Sequence, residues 1–296
     1  MPFLEMIANE AGGGSVGDPQ MASVPVPANL ATLREMYEVN FDYDACHNRF
    51  FRTLLKGKLV ADYGCGYGFS TFYISYNCTV IGFDVDCQGI DYANRLRDRF
   101  GARNVKFICH KPYETCYPEE YFDAVVSSDV IEHVQNPLLY LAEANRILRA
   151  GGTLCLSTPN GLIAGGDSSI IKAHSKFHIY EYSPKELQEM LHASGFIIHR
   201  VFRQFLPSNR FSPFRRQNYQ GNSHNGSLLH NSFRRQYALF SAISMGGGLR
   251  YPMYTKLRKL VKKLAPPVNY HIAPVALEQI SSENCDCILI IAINSS

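Results

Sequence analysis

The chain has 296 residues, of which 46% are hydrophobic and 19% charged, with a formal net charge of +3. That length suits one elaborated globular domain, or one domain with a cap, and the composition fits a soluble protein. No apolar run reaches the roughly 18 residues that cross a bilayer, and the first residues lack the basic-then-apolar pattern of a secretory signal.

Nine cysteines are scattered along the chain without a C-x-x-C pair. An odd number at such spacings reads as reduced thiols in a cytoplasmic protein. The charge is segregated. Between Met190 and Leu277 there is no Asp or Glu, yet thirteen Lys and Arg fall between Arg200 and Lys263. The rest of the chain then carries 16 basic and 26 acidic residues, a net of −10. Segregation of this kind speaks about partners rather than fold.

Residues 1–28, with the run Gly12-Gly13-Gly14-Ser15, read as a flexible lead. From about Ala31 to Leu55 the pattern is helical and amphipathic. Leu59 then opens a strand that ends in Asp62 and runs into Gly64-Cys65-Gly66-Tyr67-Gly68-Phe69. Three glycines at alternate positions let backbone approach a ligand, and left-handed φ costs them little. The amides of such a turn, and of the helix after it, point at whatever sits there. A nucleotide-like cofactor is the natural occupant.

The flanks narrow its identity. A dinucleotide turn takes G-x-G-x-x-G; here the spacing is G-x-G-x-G and Phe69 stands at the third glycine's place. No P-loop lysine follows. A second strand, Thr79–Phe83, closes on Asp84, about 20 residues past the first glycine and at the offset of a ribose-binding acid. A charged helix spans Ile90–Phe100. Further strands follow at Val105–Cys109, Ala124–Ser128, Thr153–Ser157 and Phe196–Phe202. Asn136-Pro137 starts one helix, stopped by Gly151-Gly152, and Ser183-Pro184 starts another, stopped by Gly195. Strands alternating with helices imply a doubly wound, mostly parallel sheet. The last strand is Cys287–Ile293. About 80 residues before it are more than the sheet needs. They read as a cap of short helices, because a structureless loop of that length is rare in a compact domain. The division expected is a lead over 1–28, a core over 29–202, a basic cap over 203–282 and a last strand within 283–296.

Four blocks together resemble class I S-adenosylmethionine-dependent methyltransferases. They are Asp62-x-Gly-x-Gly-x-Gly, Gly82-Phe-Asp84, Tyr121-Phe-Asp-Ala-Val-Val-Ser-Ser-Asp-Val-Ile-Glu-His133 and Leu148-Arg-Ala-Gly-Gly. The resemblance covers about residues 40 to 200. Glu132-His133 is similar to the branch that includes ubiquinone-pathway O-methyltransferases. The resemblance implies a seven-stranded sheet with an antiparallel last strand. It implies S-adenosyl-L-methionine as cofactor, the methionine part held by Asp62, Gly64, Cys65, Gly66 and Gly68, the ribose by Asp84, and the adenine bordered by Val85. Ser128 is expected on the sulfur side. Many relatives carry an acid after the third strand for the adenine; here His110-Lys111-Pro112 stands instead, so backbone or Tyr113 is left for that contact.

Methyl transfer is an in-line displacement, and a hydroxyl acceptor must also lose a proton. His133, after the fourth strand, is the expected base; the plainer alternative is that it packs beside the cofactor. In the ubiquinone-pathway branch the positions of Asp129, Glu132 and His133 bind a divalent ion. The shorter Asp changes the reach, and no metal is expected. His178 and Tyr180 are expected to meet the acceptor, against a plainer role in anchoring the loop. Tyr37 and Tyr43 either lid the cofactor or pack in the core. The basic stretch admits three readings. Arg215, Arg216, Arg234 and Arg235 bind an acidic acceptor, or the helix at 253–264 lies on anionic membrane, or the face is merely solvated. Nucleic acid is not expected, since no reading module accompanies the charge. The expected function is methylation of a hydroxyl, ahead of an amine, on a small molecule or glycan. The alternative is a non-catalytic cofactor-binding or membrane-associated module.

Overall fold

The computed structural model describes residues 29–40, 42–111, 113–165, 178–205, 270–282 and 284–295. The expected N-terminal lead, most of the basic cap with Arg215, Arg216, Arg234 and Arg235, and the helix at 253–264 lie outside the described residues.

Eight strands form one sheet: β1 Leu59–Tyr63, β2 Thr79–Asp84, β3 Val105–Cys109, β4 Phe122–Ser128, β5 Leu148–Pro159, β6 Phe196–Phe205, β7 His271–Pro274 and β8 Cys287–Asn294. Their order is β3-β2-β1-β4-β5-β8-β6-β7. The pairs within β1–β5 are parallel, whereas β8 runs antiparallel to both β5 and β6. The doubly wound, mostly parallel sheet and its antiparallel last strand are as the sequence implies. The count is eight rather than seven because β7 adds to the outer edge of β6. β7 lies inside the span expected for the cap, and β6 runs three residues past the expected core boundary at 202.

The first half of β1–β5 winds one way and the second half the other. The reversal falls between β1 and β4, where open α/β sheets bind their ligands at the C-terminal ends of the strands. Two helices, α1 Leu30–Asn40 and α2 Asp42–Leu54, replace the single amphipathic stretch of the sequence reading. With α3 Phe69–Ile74 and α4 Cys87–Phe100 they cover one face. The core there gathers Leu33, Phe51, Phe72, Leu96, Phe107, Val126 and Leu289. α5 Pro137–Ile147 and α6 Pro184–Ala193 cover the other, over Phe83, Val125, Leu141, Leu154, Leu187 and Ile290. β8 shows how both faces are fed: Cys287, Leu289 and Ile291 enter the first core, Ile288, Ile290 and Ala292 the second. That period of two on a strand buried on both sides gives an unbroken apolar run.

Caps fix the helix starts. Asp86 Oδ1 accepts from the Gln88 amide at the head of α4, and Asn136 Oδ1 accepts from the Leu139 amide at the head of α5. Ser183 and Glu186 form a reciprocal capping box on α6. α5 stops at Ile147, short of Gly151-Gly152, because Leu148 already pairs with Phe122 in the sheet. Among the described residues no helix is long and apolar enough to cross a membrane.

Candidate active site

The glycine turn joins β1 to α3 at the switch point. Gly64, Gly66 and Gly68 all have positive φ, at 94°, 51° and 80°. Their reasons differ. A Cβ on Gly64 would lie 2.5 Å from Val130 Cγ1, and one on Gly68 would lie 2.7 Å from Phe107. Those two permit close packing of protein on protein. A Cβ on Gly66 would meet nothing within 4 Å, so this is the position where the turn faces open space. Cys65 departs from its expected place beside the cofactor. Its Sγ packs under the turn, 2.8 Å from where a Cβ on Gly82 would stand, and its amide donates to the Phe83 carbonyl. The positive φ of Gly64 breaks the strand's alternation, so this side chain joins the core of Val60 rather than that of Ala61 and Tyr63.

Asp62 is buried at the end of β1 and accepts from Thr71 Oγ1 at 2.6 Å and Ser70 Oγ at 3.4 Å. Burial pushes its carboxyl up to about 6, against the pull of those two hydroxyls. Asp84, at the end of β2, accepts from the Gly66 amide through Oδ2 and from the Asp86 amide through Oδ1. Val85 beside it is 55% exposed. The His110 ring lies at the end of β3 against Tyr63 and Phe83. The Tyr113 hydroxyl accepts from the Asn136 amide.

On the β4 side the sequence reading missed His47. It sits on α2, fully buried, with Nε2 2.8 Å from Ser128 Oγ and 3.4 Å from Asp129 Oδ2. Asn48 donates to the same Ser128 Oγ and to the Tyr37 hydroxyl. Ser128, expected on the sulfur side, is thus tied to α2. Tyr37 packs in the core beneath it, and Tyr43 meets the rings of His47 and Tyr270 edge-on. The available signal was two polar residues, His47 and Asn48, on the apolar side of a helix with Ala45 and Phe51. Asp129 has φ 52°, a strained value for a residue with a Cβ. It accepts from Ser157 Oγ through Oδ1.

That orientation divides the three residues Asp129, Glu132 and His133 that the sequence groups together. Asp129 turns toward His47 and Asp44, whereas Glu132 and His133 group with His178. Glu132 is 1% exposed; its Oε2 accepts from Thr158, while its Oε1 finds no hydrogen-bond partner among the described residues and lies 4.0 Å from His133 Nε2. Burial first, then the charge of Asp129, holds this carboxyl well above the usual range. The His133 ring stands 4.8 Å from the His178 ring, at right angles. His178 Nδ1 lies 2.6 Å from Glu181 Oε1. The Glu132 carbonyl accepts from the amides of Ile179 and Tyr180, which pins this segment to the turn after β4. Tyr180, expected at the acceptor, follows in the same segment. Its hydroxyl donates to Glu186, and it lines an outer cleft of about 440 Å³ with Val134, Ile179 and Met190.

Two cysteines overturn the expectation of nine reduced thiols. Cys87 and Cys109 form a disulfide with Cα atoms 5.1 Å apart. β2 and β3 place Cys109 opposite Asp84, and α4 begins at Cys87 three residues later. The pairing is tertiary, so neither spacing nor count could show it.

Residues 61–156 match the family described as methyltransferase domain. Over those residues the chain is similar to S-adenosylmethionine-dependent methyltransferases. Its sequence is 31% identical over 143 residues to a probable S-adenosylmethionine-dependent methyltransferase of Mycolicibacterium smegmatis, covering 47% of this chain and 52% of that one. It is 28% identical over 179 residues to a ubiquinone biosynthesis O-methyltransferase of Rhizobium etli, covering 57% and 70%. The chain thus spans about half the length of the first relative and about two thirds of the second. The methyltransferase fold is shared with an S-adenosylmethionine-dependent methyltransferase of Thermotoga maritima (TM-score 0.54, 13% identity, 88% and 93% covered). It is shared also with the [4+2]-cyclase SpnF (TM-score 0.52, 16% identity, 91% and 97% covered). The site of this domain fits its cofactor. Asp62 is a buried carboxylate suited to an ammonium, Gly66 leaves open space, and Asp84 retains lone pairs for ribose hydroxyls.

Proposed function

We propose that the chain methylates a hydroxyl of a small molecule or glycan, with an acidic or phosphorylated acceptor favoured. The observation that carries this reading is the His133–His178 pair beyond β4, with Glu181 on His178 Nδ1. A carboxylate at 2.6 Å keeps the proton on Nδ1, which leaves Nε2 as an acceptor. Imidazole so oriented can take a hydroxyl proton as the acceptor oxygen attacks. The bound cofactor supplies an electrophilic methyl on a sulfonium. Asp62 holds its ammonium end, Asp84 its ribose, and the amide of Gly66 braces Asp84.

Oxygen is favoured over nitrogen by the ubiquinone biosynthesis O-methyltransferases among the relatives. The anionic character of the acceptor is argued from the thirteen basic residues between Arg200 and Lys263. The [4+2]-cyclase that shares the fold is the reason to test turnover directly, because fold alone does not name a reaction. Incubation with methyl-labelled S-adenosylmethionine and a panel of phenols, sugars, sugar phosphates and amines should label hydroxyl acceptors. His178→Asn should lower turnover about 100-fold or more with cofactor affinity unchanged. Labelling of amines alone, or cofactor binding without any transfer, would contradict the reading.

A further inference from the structure

We propose that the Cys87–Cys109 disulfide is a positioning clamp for the adenosine half of the cofactor site, and that its reduction loosens the cofactor. The inference rests on the S-adenosylmethionine reading of the site. Cys109 ends β3 in register with Asp84, so the ladder already holds one sulfur beside the ribose-binding acid. The disulfide adds a second restraint, on the first turn of α4 and on the Val85–Asp86 loop that leads into it.

That loop is stitched to the cofactor turn. Asp84 Oδ1 accepts from the Asp86 amide while Asp84 Oδ2 accepts from the Gly66 amide. Asp86 in turn caps α4 through the Gln88 amide. Gly89, one turn into α4, lies so close that a Cβ there would sit 3.3 Å from the Gly66 carbonyl oxygen and 3.0 Å from Asp86 Oδ2. Movement of the head of α4 therefore moves Asp84, Val85 and Gly66 together. A loop that must be ordered on binding costs affinity; one held in advance does not. The segment has no other covalent tie, and its outer residues Val85, Asp86, Cys87 and Gln88 are exposed.

Exposure also makes the bond reachable. A dithiol attacks one sulfur to give a mixed disulfide, and its second thiol completes the exchange. The S–S bond of Cys87 and Cys109 breaks, two thiols form with two electrons and two protons from the reductant, and the dithiol leaves as its own disulfide.

The test uses the full chain and S-adenosylhomocysteine as the probe. Calorimetric titration of protein purified without reductant is compared with protein treated with dithiothreitol, with free thiols counted in each. The expected result is about tenfold weaker binding after reduction, or about 1.4 kcal/mol. The Cys87→Ser/Cys109→Ser double variant should bind weakly in both conditions. Cys116→Ser, which alters an exposed free cysteine, should keep the wild-type response. Equal affinity in the two states of wild type, or nine free thiols before reduction, overturns the clamp while leaving the cofactor reading intact. Absence of binding in either state overturns both.

Discussion

The Gly66 amide donates to Asp84 Oδ2 at 2.7 Å, so the acid proposed to hold the ribose and the glycine turn form one unit before any cofactor arrives. Asp84 spends one lone-pair direction on each of two amides, from Gly66 and Asp86, and keeps the rest for hydroxyls. The geometry explains why the acid stands at the end of β2. Only the neighbouring parallel strand brings a carboxylate to the back of the turn.

Gly64→Ala and Gly66→Ala should separate folding from binding. The new methyl of Gly64→Ala would strike Val130 in a left-handed backbone, for an expected loss of about 2 kcal/mol or more of stability. Gly66→Ala pays only the backbone strain, about 1–2 kcal/mol, yet its methyl enters the open side of the turn. Urea midpoints and S-adenosylhomocysteine affinity, measured on both variants, check the contrast.

Asp62 sets a pH dependence. Its folded value of about 6 lies above the ordinary 3.8 of a free Asp, because burial disfavours the charge. Between those values the folded protein holds a proton that the unfolded chain has released. The cofactor-free protein should therefore lose stability from this group as pH rises from about 4 to 6. Cofactor binding should show the opposite trend. The ammonium end needs the carboxylate, so affinity for S-adenosylhomocysteine should fall as pH drops below about 6. Calorimetry from pH 5 to 8 should show the fall in wild type, and Asp62→Asn should flatten it.

His47 is expected to matter for stability. It is fully buried and pairs with Asp129 and Ser128. His47→Ala leaves the Asp129 carboxylate without that partner and opens a cavity beside Phe51. A loss of about 2 kcal/mol follows from leaving buried polar groups without that partner, readable as a lower denaturant midpoint. A change in turnover with no change in midpoint would instead make His47 part of the chemistry.

The parallel strands, the acid at the end of each of the first two, and the helix starts at Asn136 and Ser183 were legible in the sequence. Local chemistry decides those features: alternate glycines, capping side chains and apolar runs of strand length. The features missed depend on contacts distant in sequence. His47 meets Ser128 across 81 residues, and β7 pairs with β6 with His271 opposite Phe205, a partner far away in the chain. Asp129 was grouped with Glu132 and His133 by proximity in the chain. Its positive φ turns the carboxylate to the other side, toward His47 and Ser157. Tyr180 gives its hydroxyl to Glu186, six residues on.

Titration of S-adenosylhomocysteine into wild type and Asp84→Ala tests the central claim most directly. A single site in wild type is expected, weakened by about 2 kcal/mol, or roughly 30-fold, when the charged acceptor of the ribose hydroxyls is removed. Equal affinity in the two proteins, or heat from a nicotinamide dinucleotide and none from S-adenosylhomocysteine, would contradict it.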